Sequence, residues 1–345
     1  MSSEKRADHI TLKHGAGGPA MRALIQSMFV DGMAGTAPGQ HIGLAALDDG
    51  AVLRVGDRYL VLTTDSYVVK PRFFPGGDIG RLAVCGTVND LSMMGATEPL
   101  ALTAAVVMEE GFAASELKRI RDSMRQACKE AGVVIVTGDT KVMGRGEIDG
   151  IIINTAGVAL TDRVVPDSGL RPGDRIIFTG TIGDHGFAVM AARHGLLLES
   201  QIESDVAPLN GLVRQALAAG GDGVSAMKDP TRGGVASALH EMADKGKVGV
   251  LLDERAVPVR ADVRAASEML GIEPLYAANE GKAVLGVRPE VADGVLQALR
   301  AHPLGRNAAI VGTCVAERPG SVIVDTGFGK RLLAEPEGEL LPRIC

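Results

Sequence analysis

Segments with the pattern of β-strands alternate with segments with the pattern of α-helices along both halves of this chain. The first half combines a predicted hairpin around Gly56-Asp57 with two helices and two further strands. The second half repeats the alternation, with helices predicted near 234–245, 260–270 and 289–301 and strands near 175–179, 248–252, 283–287 and 308–316. Because such alternation favours layers of helices on a sheet, we expect an α/β (α+β) protein.

Three local patterns in the first half give specific predictions. Asp78 is the predicted N-cap of a helix that ends near Gly95. Ser115 precedes a second helix, which Gly132 can terminate. The β-branched run at 133–137 is predicted to be a buried strand.

A segment rich in proline and glycine, residues 166–174, separates the two halves. Two prolines and two glycines in nine residues favour a linker. With 345 residues, the chain also exceeds the usual size of one domain. We therefore expect a glycine-rich N-terminal segment at 1–40, domains at 41–165 and 166–334, and a tail at 335–345.

Charge and hydropathy exclude several classes of protein. The net charge is −6 and no basic patch stands out, which argues against a nucleic-acid partner. The N-terminus has no apolar targeting segment and no apolar run could span a bilayer, so we expect a cytoplasmic protein without membrane contact. The four cysteines lack CxxC spacing, which argues against a zinc site or disulfide framework, and Cys85 and Cys128 are predicted to be buried on helices.

Acidic residues lie near the ends of predicted strands and before glycine-rich turns. Carboxylates that converge repel one another unless a cation neutralises them, and Mg²⁺ takes oxygen ligands while bridging to substrate phosphates. Glycine-rich turns before helices offer backbone N–H groups to those phosphates. The alternative is that each aspartate only forms a turn or caps a helix. The residues concerned are Asp48, Asp65, Asp90, Asp139 and Asp229.

The last residue of the chain is a cysteine, Cys345. From Glu335 onward an extended tail reaches roughly 33 Å, enough to carry a thiol into a site between domains and out again. The alternative is a disordered tail with an incidental cysteine.

These motifs together resemble the ATP-binding superfamily of aminoimidazole ribonucleotide synthetase, selenophosphate synthetase and thiamine-monophosphate kinase. Within that superfamily the chain is most similar to the HypE family of hydrogenase maturation proteins, because other members lack the terminal tetrapeptide. The resemblance covers nearly the whole chain and rests on residues 14–18, 63–69, 73–80, 85–90, 136–142, 183–186, 229–234, 278–282 and 342–345.

The resemblance implies a fold and an activity. It implies a two-domain aminoimidazole ribonucleotide synthetase-like fold, a homodimer with a β-barrel-like interface between N-terminal domains, ATP between the domains, and a flexible tail. HypF is expected to place a carbamoyl group on the Cys345 thiol. An ATP-dependent dehydration then gives a thiocyanate, whose cyano group passes to iron on a HypC–HypD complex for the [NiFe]-hydrogenase.

Site residues follow from the resemblance at matching positions. The five aspartates are expected to bind Mg²⁺–ATP, and Asn89, Thr140, Lys141 and Arg232 are expected to contact ATP. Cys345, Lys141 and Glu280 are the predicted catalytic residues, with Lys141 at the transferred phosphate and Glu280 as the base. The alternatives are a surface pair of Lys141 with Asp139, a turn carboxylate at Glu280 and a structural pair of Arg232 with Asp229.

Two other functions remain open at this point. One is another kinase or synthetase of the superfamily acting on a free small molecule. Selenophosphate synthetase usually carries a reactive cysteine or selenocysteine near its N-terminal glycines, whereas the first cysteine here is Cys85. The other is a non-catalytic scaffold that carries a modified thiol between partners.

Overall fold

The computed structural model describes residues 9–33, 35–195, 202–336, 338 and 344–345. The first eight residues of the predicted N-terminal segment, and Pro342 and Arg343 of the tail, lie outside this part of the chain. The described helices are α1 Gly18–Ile25, α2 Ile79–Met93, α3 Ala114–Ala131, α4 Asp184–His194, α5 Asn210–Gly220, α6 Gly234–Gly246, α7 Ala261–Leu270 and α8 Pro289–Ala301.

Fifteen strands are described. They are β1 Gln40–Ile42, β2 Ala51–Val55, β3 Arg58–Tyr67, β4 Phe73–Phe74, β5 Gly77–Asp78, β6 Pro99–Glu109, β7 Ile135–Met143, β8 Ile151–Thr161, β9 Arg175–Phe178, β10 Val224–Lys228, β11 Gly249–Asp253, β12 Val284–Val287, β13 Ala309–Val315, β14 Val322–Asp325 and β15 Lys330–Leu333.

The first half of the chain forms a six-stranded sheet in the order β1-β2-β3-β8-β6-β7. Its neighbouring strands are antiparallel except β6 and β7, which run parallel and are joined through α3. Helix α2 packs on β3 and β8, and α3 packs on α2. The sheet is open, with β1 and β7 at its edges.

The second half forms a seven-stranded sheet in the order β10-β12-β9-β13-β11-β14-β15, with helices on both faces. Successive residues of β9 divide between these faces because side chains alternate along a strand. Ile176 and Phe178 pack with α6, whereas Ile177 packs with α5 and α8. None of the described helices is both long and apolar enough to cross a membrane.

The predicted start of α2 and the predicted end of α3 are confirmed, whereas α3 begins at Ala114, before the predicted Ser115. The Asp78 carboxylate accepts hydrogen bonds from the N–H groups of Gly80 and Arg81, at 2.8 and 3.0 Å, so it caps α2. Helix α3 ends at Gly132, whose φ of 70° lies in the left-handed region that glycine tolerates.

The prediction of a buried strand at 133–137 is wrong. The observed strand, β7, runs from Ile135 to Met143 and is exposed along its whole length. It forms the edge of the sheet, with β6 as its partner strand on one side, and none of the described helices covers it. The side chains of Val134, Val136 and Val142 are 60%, 62% and 67% exposed. The apolar character of residues 133–137 does not by itself indicate whether a strand lies inside a sheet or at its edge.

Asn89 joins the two halves of the chain through its side-chain amide. The amide NH₂ donates to the carbonyls of Ala207 and Glu280, at 3.2 Å each, and its oxygen accepts from the N–H of Leu209 at 2.8 Å. Asn89 is 1% exposed, so its amide, and not water, provides the hydrogen bonds of these backbone groups.

Replacing Asn89 by alanine is therefore expected to destabilise the protein. Asn89→Ala leaves two carbonyls and one N–H without their partner, and each orphaned buried group costs about 1–3 kcal/mol. We expect a fall of at least about 2 kcal/mol in the free energy of unfolding, measured by urea denaturation with circular dichroism. Gln126→Ala, on the exposed face of α3, is the control and should change it by less than about 0.5 kcal/mol. Equal stability of the two variants would contradict the role assigned to Asn89.

Candidate active site

A cavity of about 690 Å³ lies between the two halves of the chain. Helix α1, the loop before β2 and strand β3 line one side, and the segment from Lys228 to Glu241 lines the other. Four of the five predicted aspartates reach this cavity, namely Asp48, Asp65, Asp90 and Asp229. Asp49 joins them.

Each of these aspartates is placed by a different element. Asp48 and Asp49 precede β2, and Asp65 lies on β3. Asp90 lies on α2, where its carboxylate accepts a hydrogen bond from the Thr63 hydroxyl at 2.9 Å. Asp229 follows β10 and is 8% exposed. The cavity therefore gathers carboxylates that are up to 181 residues apart in sequence, from Asp48 to Asp229.

Burial and mutual repulsion disfavour the charged forms of these carboxylates. Burial, followed by the charges of Asp167 and Asp49, raises the pKa of Asp48 to about 7. Burial, followed by the charge of Asp49, raises the pKa of Asp229 to about 8. Burial likewise raises the pKa of Asp65 and Asp90. The cavity thus holds more negative charge than its own cations balance.

Lys228 is the buried cation of the cavity floor. Its ammonium lies 2.6 Å from Asp49, 3.3 Å from Asp167 and 3.4 Å from Glu241. Burial opposes the charge, but Asp49, Glu241 and Asp167 together raise the pKa of Lys228 well above its ordinary value. Its position directly before Asp229 is the signal that the sequence offers, and this position alone does not predict the role of Lys228.

Asp139, Thr140 and Lys141 do not line the cavity. They lie on β7, separated from β3 by β8 and β6, which places the two strands roughly 14 Å apart at about 4.8 Å per strand. The Lys141 ammonium is 3.1 Å from the Asp139 carboxylate, and both side chains are mostly exposed. Within one chain this is the surface pair that the sequence left open as the alternative. Asn89 also faces the junction of the two sheets instead of the cavity.

The terminal cysteine is docked inside the protein. The N–H of Val68, just after β3, donates to a main-chain carboxylate oxygen of Cys345 at 3.2 Å. Ile344 is 3% exposed and packs in the core that joins the two halves. Burial, then the charges of Glu280, Asp65 and Asp229, raises the pKa of the Cys345 thiol, and Arg232 lowers it. The docked thiol is therefore protonated at neutral pH.

Glu280 is a buried carboxyl beside this thiol. It is 3% exposed, and its backbone N–H is held by the Asp205 carboxylate at 3.0 Å. Among the described residues its Oε1 atom has no hydrogen-bond partner. Burial, then the charges of Asp229 and Asp205, raises the pKa of Glu280 well above its ordinary value. A carboxyl of this kind can accept a proton near neutral pH.

Arg232 connects the cavity to the thiol. It lines the cavity, and its guanidinium donates to the Gly15 carbonyl at 3.3 Å. The charge of Cys345 is the largest cause that raises the pKa of Arg232, and Asp65 and Glu280 add to it against the effect of burial. Asp65 on the cavity side and Glu280 on the thiol side therefore flank this guanidinium.

The oxygen-only donor set fits a hard cation that shares its ligands with a phosphate. Among the described residues, no three His, Cys, Asp or Glu side chains converge closely enough to hold a metal ion by themselves. Mg²⁺ is usually held by one or two carboxylates together with substrate phosphates and water, so it does not require such a cluster. The Asp49 Oδ2 atom is buried and has no hydrogen-bond partner within the described chain, which leaves an acceptor open on the cavity floor.

Known proteins are similar to this chain over nearly its whole length. The carbamoyl dehydratase HypE of Rhizobium leguminosarum bv. viciae is 48% identical over 343 residues, which cover 97% of this chain and 95% of the relative. A solved HypE–HypF complex contains a chain that is 44% identical, with a TM-score of 0.84, and the match covers 91% of this chain and 100% of that one. A solved HypE in complex with ATP is 42% identical, with a TM-score of 0.80 and coverage of 97% and 99%.

Family models match both halves of the chain. The AIR synthase related protein, N-terminal domain, matches residues 47–161, and the AIR synthase related protein, C-terminal domain, matches residues 171–325. These matches cover most of the chain, and the relatives cover nearly all of it. The chain therefore belongs to the AIR synthase related family and, within it, to the HypE family of carbamoyl dehydratases.

Proposed function

We propose that this protein is an ATP-dependent carbamoyl dehydratase that acts on a carbamoyl group carried by its own Cys345 thiol. The product is a thiocyanate, which supplies the cyanide ligand for iron during [NiFe]-hydrogenase maturation. The observation that carries the proposal is the docked position of the half-buried Cys345 beside Glu280, next to an acidic cavity between the two halves of the chain. Relatives named carbamoyl dehydratase HypE support the reaction.

The reaction removes one oxygen and two protons from the thiocarboxamide. ATP, when bound, supplies the phosphoryl group that makes the carbamoyl oxygen a leaving group, so that oxygen departs with inorganic phosphate. The carbon–nitrogen bond becomes triple only if both protons leave the nitrogen. The protein must therefore hold the phosphates near Cys345 and provide a base at the nitrogen.

Glu280 is proposed as that base. Its carboxyl is buried beside the thiol, and its Oε1 has no other hydrogen-bond partner within the described residues. An ordinary carboxylate is a weak base at neutral pH, but burial raises the pKa of Glu280 well above its ordinary value. The raised pKa brings its basicity closer to the working pH, where proton transfer is most effective.

Arg232 and the cavity aspartates are proposed to hold Mg²⁺ and ATP. Asp48, Asp65, Asp90 and Asp229 supply carboxylate oxygens for the cation, because their pKa values are raised by burial that a cation would offset. Arg232 suits the phosphates because its guanidinium can donate two parallel hydrogen bonds. Its position between cavity and thiol supports phosphoryl transfer toward Cys345.

A homodimer is proposed to account for β7. The exposed valines of this edge strand form an apolar strip that a second copy can cover, forming the β-barrel-like interface. Asp139, Thr140 and Lys141 lie on this strand, and we propose that they contact the nucleotide at the interface between two copies. The chain by itself offers them no such contact.

Two partners and a location complete the proposal. HypF is proposed to load the carbamoyl group, and the solved HypE–HypF complex of a relative supports it. A HypC–HypD complex is proposed to accept the cyano group on iron, because a thiocyanate on a protein needs an acceptor to complete its role. These steps are proposed to take place in the cytoplasm.

Modification of the terminal thiol tests the proposed function directly. With a carbamoylating HypF partner, the wild-type chain should gain one carbamoyl group at Cys345 and lose one water only when ATP is added. Cys345→Ala should show neither change, whereas Cys128→Ala, a control on α3, should show both. Intact-mass spectrometry measures each step. ATP-dependent product formation by Cys345→Ala would favour another enzyme of the superfamily and falsify the proposal.

The role of Glu280 can be separated from carbamoyl loading. Glu280→Gln keeps the volume but removes the base, so the rate of ATP-dependent water loss should fall by roughly 10²–10⁴-fold. Loading of the thiol should continue. Glu268→Gln, on the exposed side of α7, should leave both steps unchanged. An unchanged rate of water loss in Glu280→Gln would assign the base to another residue.

The cation site predicts a pH dependence of stability in the protein without nucleotide. The folded-state pKa of Asp48, about 7, lies above its unfolded value near 3.8, so its contribution to stability is full below pH 4 and is lost as the pH rises toward 7. Asp48→Asn should therefore gain stability relative to wild type between about pH 4 and pH 8, measured by urea denaturation.

Mg²⁺ with ATP should abolish or reverse this gain, because the cation requires the carboxylate that the variant lacks. A difference between Asp48→Asn and wild type that stays constant with pH would contradict the electrostatic argument. A pH-dependent gain that Mg²⁺ and ATP leave unchanged would place the cation elsewhere.

A further inference from the structure

The docked end of the tail is held through its main-chain oxygens. Val68 donates its N–H to a main-chain carboxylate oxygen of Cys345, at 3.2 Å. The carbonyl of Ile344 lies 2.7 Å from Nε2 of His185, a residue in the first turn of α4. A carbonyl oxygen only accepts hydrogen bonds, so His185 must carry its proton on Nε2.

A short hydrogen-bond chain fixes this form of His185. The hydroxyl of Ser204 lies 2.8 Å from Nδ1 of His185 and accepts from the N–H of Val206 at 3.1 Å. Because the Val206 N–H already donates to this oxygen, the hydroxyl proton is free to point at Nδ1. Nδ1 therefore accepts, and Nε2 is left as the donor that faces Ile344.

The surroundings of His185 keep its ring neutral and fixed. The side chain is 0% exposed, and the ring of Phe74 meets it edge to face at 5.4 Å between centroids. Burial lowers the pKa of His185, while the charge of Asp205 and the bond to Ile344 act in the opposite direction. A neutral ring can donate from only one nitrogen. The hydrogen bond from Ser204 to Nδ1 therefore leaves Nε2 as the donor to the Ile344 carbonyl.

We propose that His185 is a positioning residue that holds the tail in its docked place, with Ser204 fixing the donor. This inference rests on the proposed function, in which Cys345 carries the substrate group into the cleft. His185 acts through the carbonyl of Ile344, so it sets the position of the thiol and takes no part in the chemistry.

Alkylation of Cys345 tests the docking contact without nucleotide or partner. The docked thiol is half-buried and protonated, so it reacts slowly with N-ethylmaleimide, and the rate rises with the released fraction of the tail. His185→Ala should raise the rate at Cys345 about five- to tenfold, the effect of losing one net hydrogen bond. Mass spectrometry of the C-terminal peptide measures it.

Two controls separate release of the tail from unfolding. His194→Ala, on the exposed end of the same helix, should react at the wild-type rate. The buried thiols of Cys85, Cys128 and Cys314 report on folding, and they should stay unreactive in His185→Ala. If they react too, the variant is unfolded and the test passes to Ser204→Ala.

Ser204→Ala leaves the imidazole in place and removes only the group that fixes its tautomer. We expect it to raise the rate at Cys345 about two- to threefold. His185→Gln, which keeps an N–H donor of similar reach, should restore part of the docking and give an alkylation rate between those of the wild type and His185→Ala. A wild-type rate in a folded His185→Ala, or in Ser204→Ala when His185→Ala unfolds, would overturn the proposal.

A second measurement distinguishes this inference from the proposed function. On the carbamoylated chain, His185→Ala should slow ATP-dependent water loss and leave the rate of carbamoyl loading equal or higher. Faster alkylation without any ATP-dependent water loss in the wild type would support the docking role and sink the dehydratase. Normal ATP-dependent water loss in the wild type, together with an unchanged alkylation rate in His185→Ala, would support the dehydratase and overturn the docking role.

Discussion

The ammonium of Lys228 is the contact on which the arrangement of this site depends. It meets carboxylates from the loop before β2, from the segment between the domains and from α6, all within 3.4 Å. Removing one partner from such a network leaves a buried charge uncompensated, so the three elements are held in a fixed relation. The cavity lies directly above this contact, with the same carboxylates forming part of its wall. One lysine therefore joins the domains and sets the charge of the site.

The surplus of negative charge around Lys228 links structure to function. Burial, followed by the charges of neighbouring aspartates, raises the pKa values of Asp48 and Asp229 despite the positive charge of Lys228. In the proposed function, a cation supplies further positive charge and the nucleotide supplies the phosphoryl group. The terminal thiol lies beside the acidic cavity, next to Glu280 and Arg232. Burial there suppresses the thiolate, which keeps the docked cysteine from reacting before it is loaded.

Local sequence patterns predicted the elements with good accuracy where local forces decide. Asp78 caps α2 because its own carboxylate reaches the first N–H groups, and Gly132 ends α3 because glycine tolerates a left-handed backbone. The prediction for 133–137 failed because burial of a strand depends on its neighbours in the sheet. The sequence motif predicts a nucleotide contact for Asn89, whereas its amide forms hydrogen bonds with backbone groups of the other domain. Its neighbours in sequence give no sign of that partner.

The sequence by itself determined the α/β class, the strands and helices, the aspartate motifs and the terminal thiol, since each depends on residues close together in the chain. Only the tertiary structure decided which of those aspartates share a cavity, and it left Asp139 and Lys141 on a distant edge strand. It alone brought Lys228 to the cavity, and His185 and Ser204 to the docked end of the tail. Their roles depend on contacts with residues far away in sequence, such as Asp49 and Ile344. Packing creates these contacts, and short-range patterns do not record them.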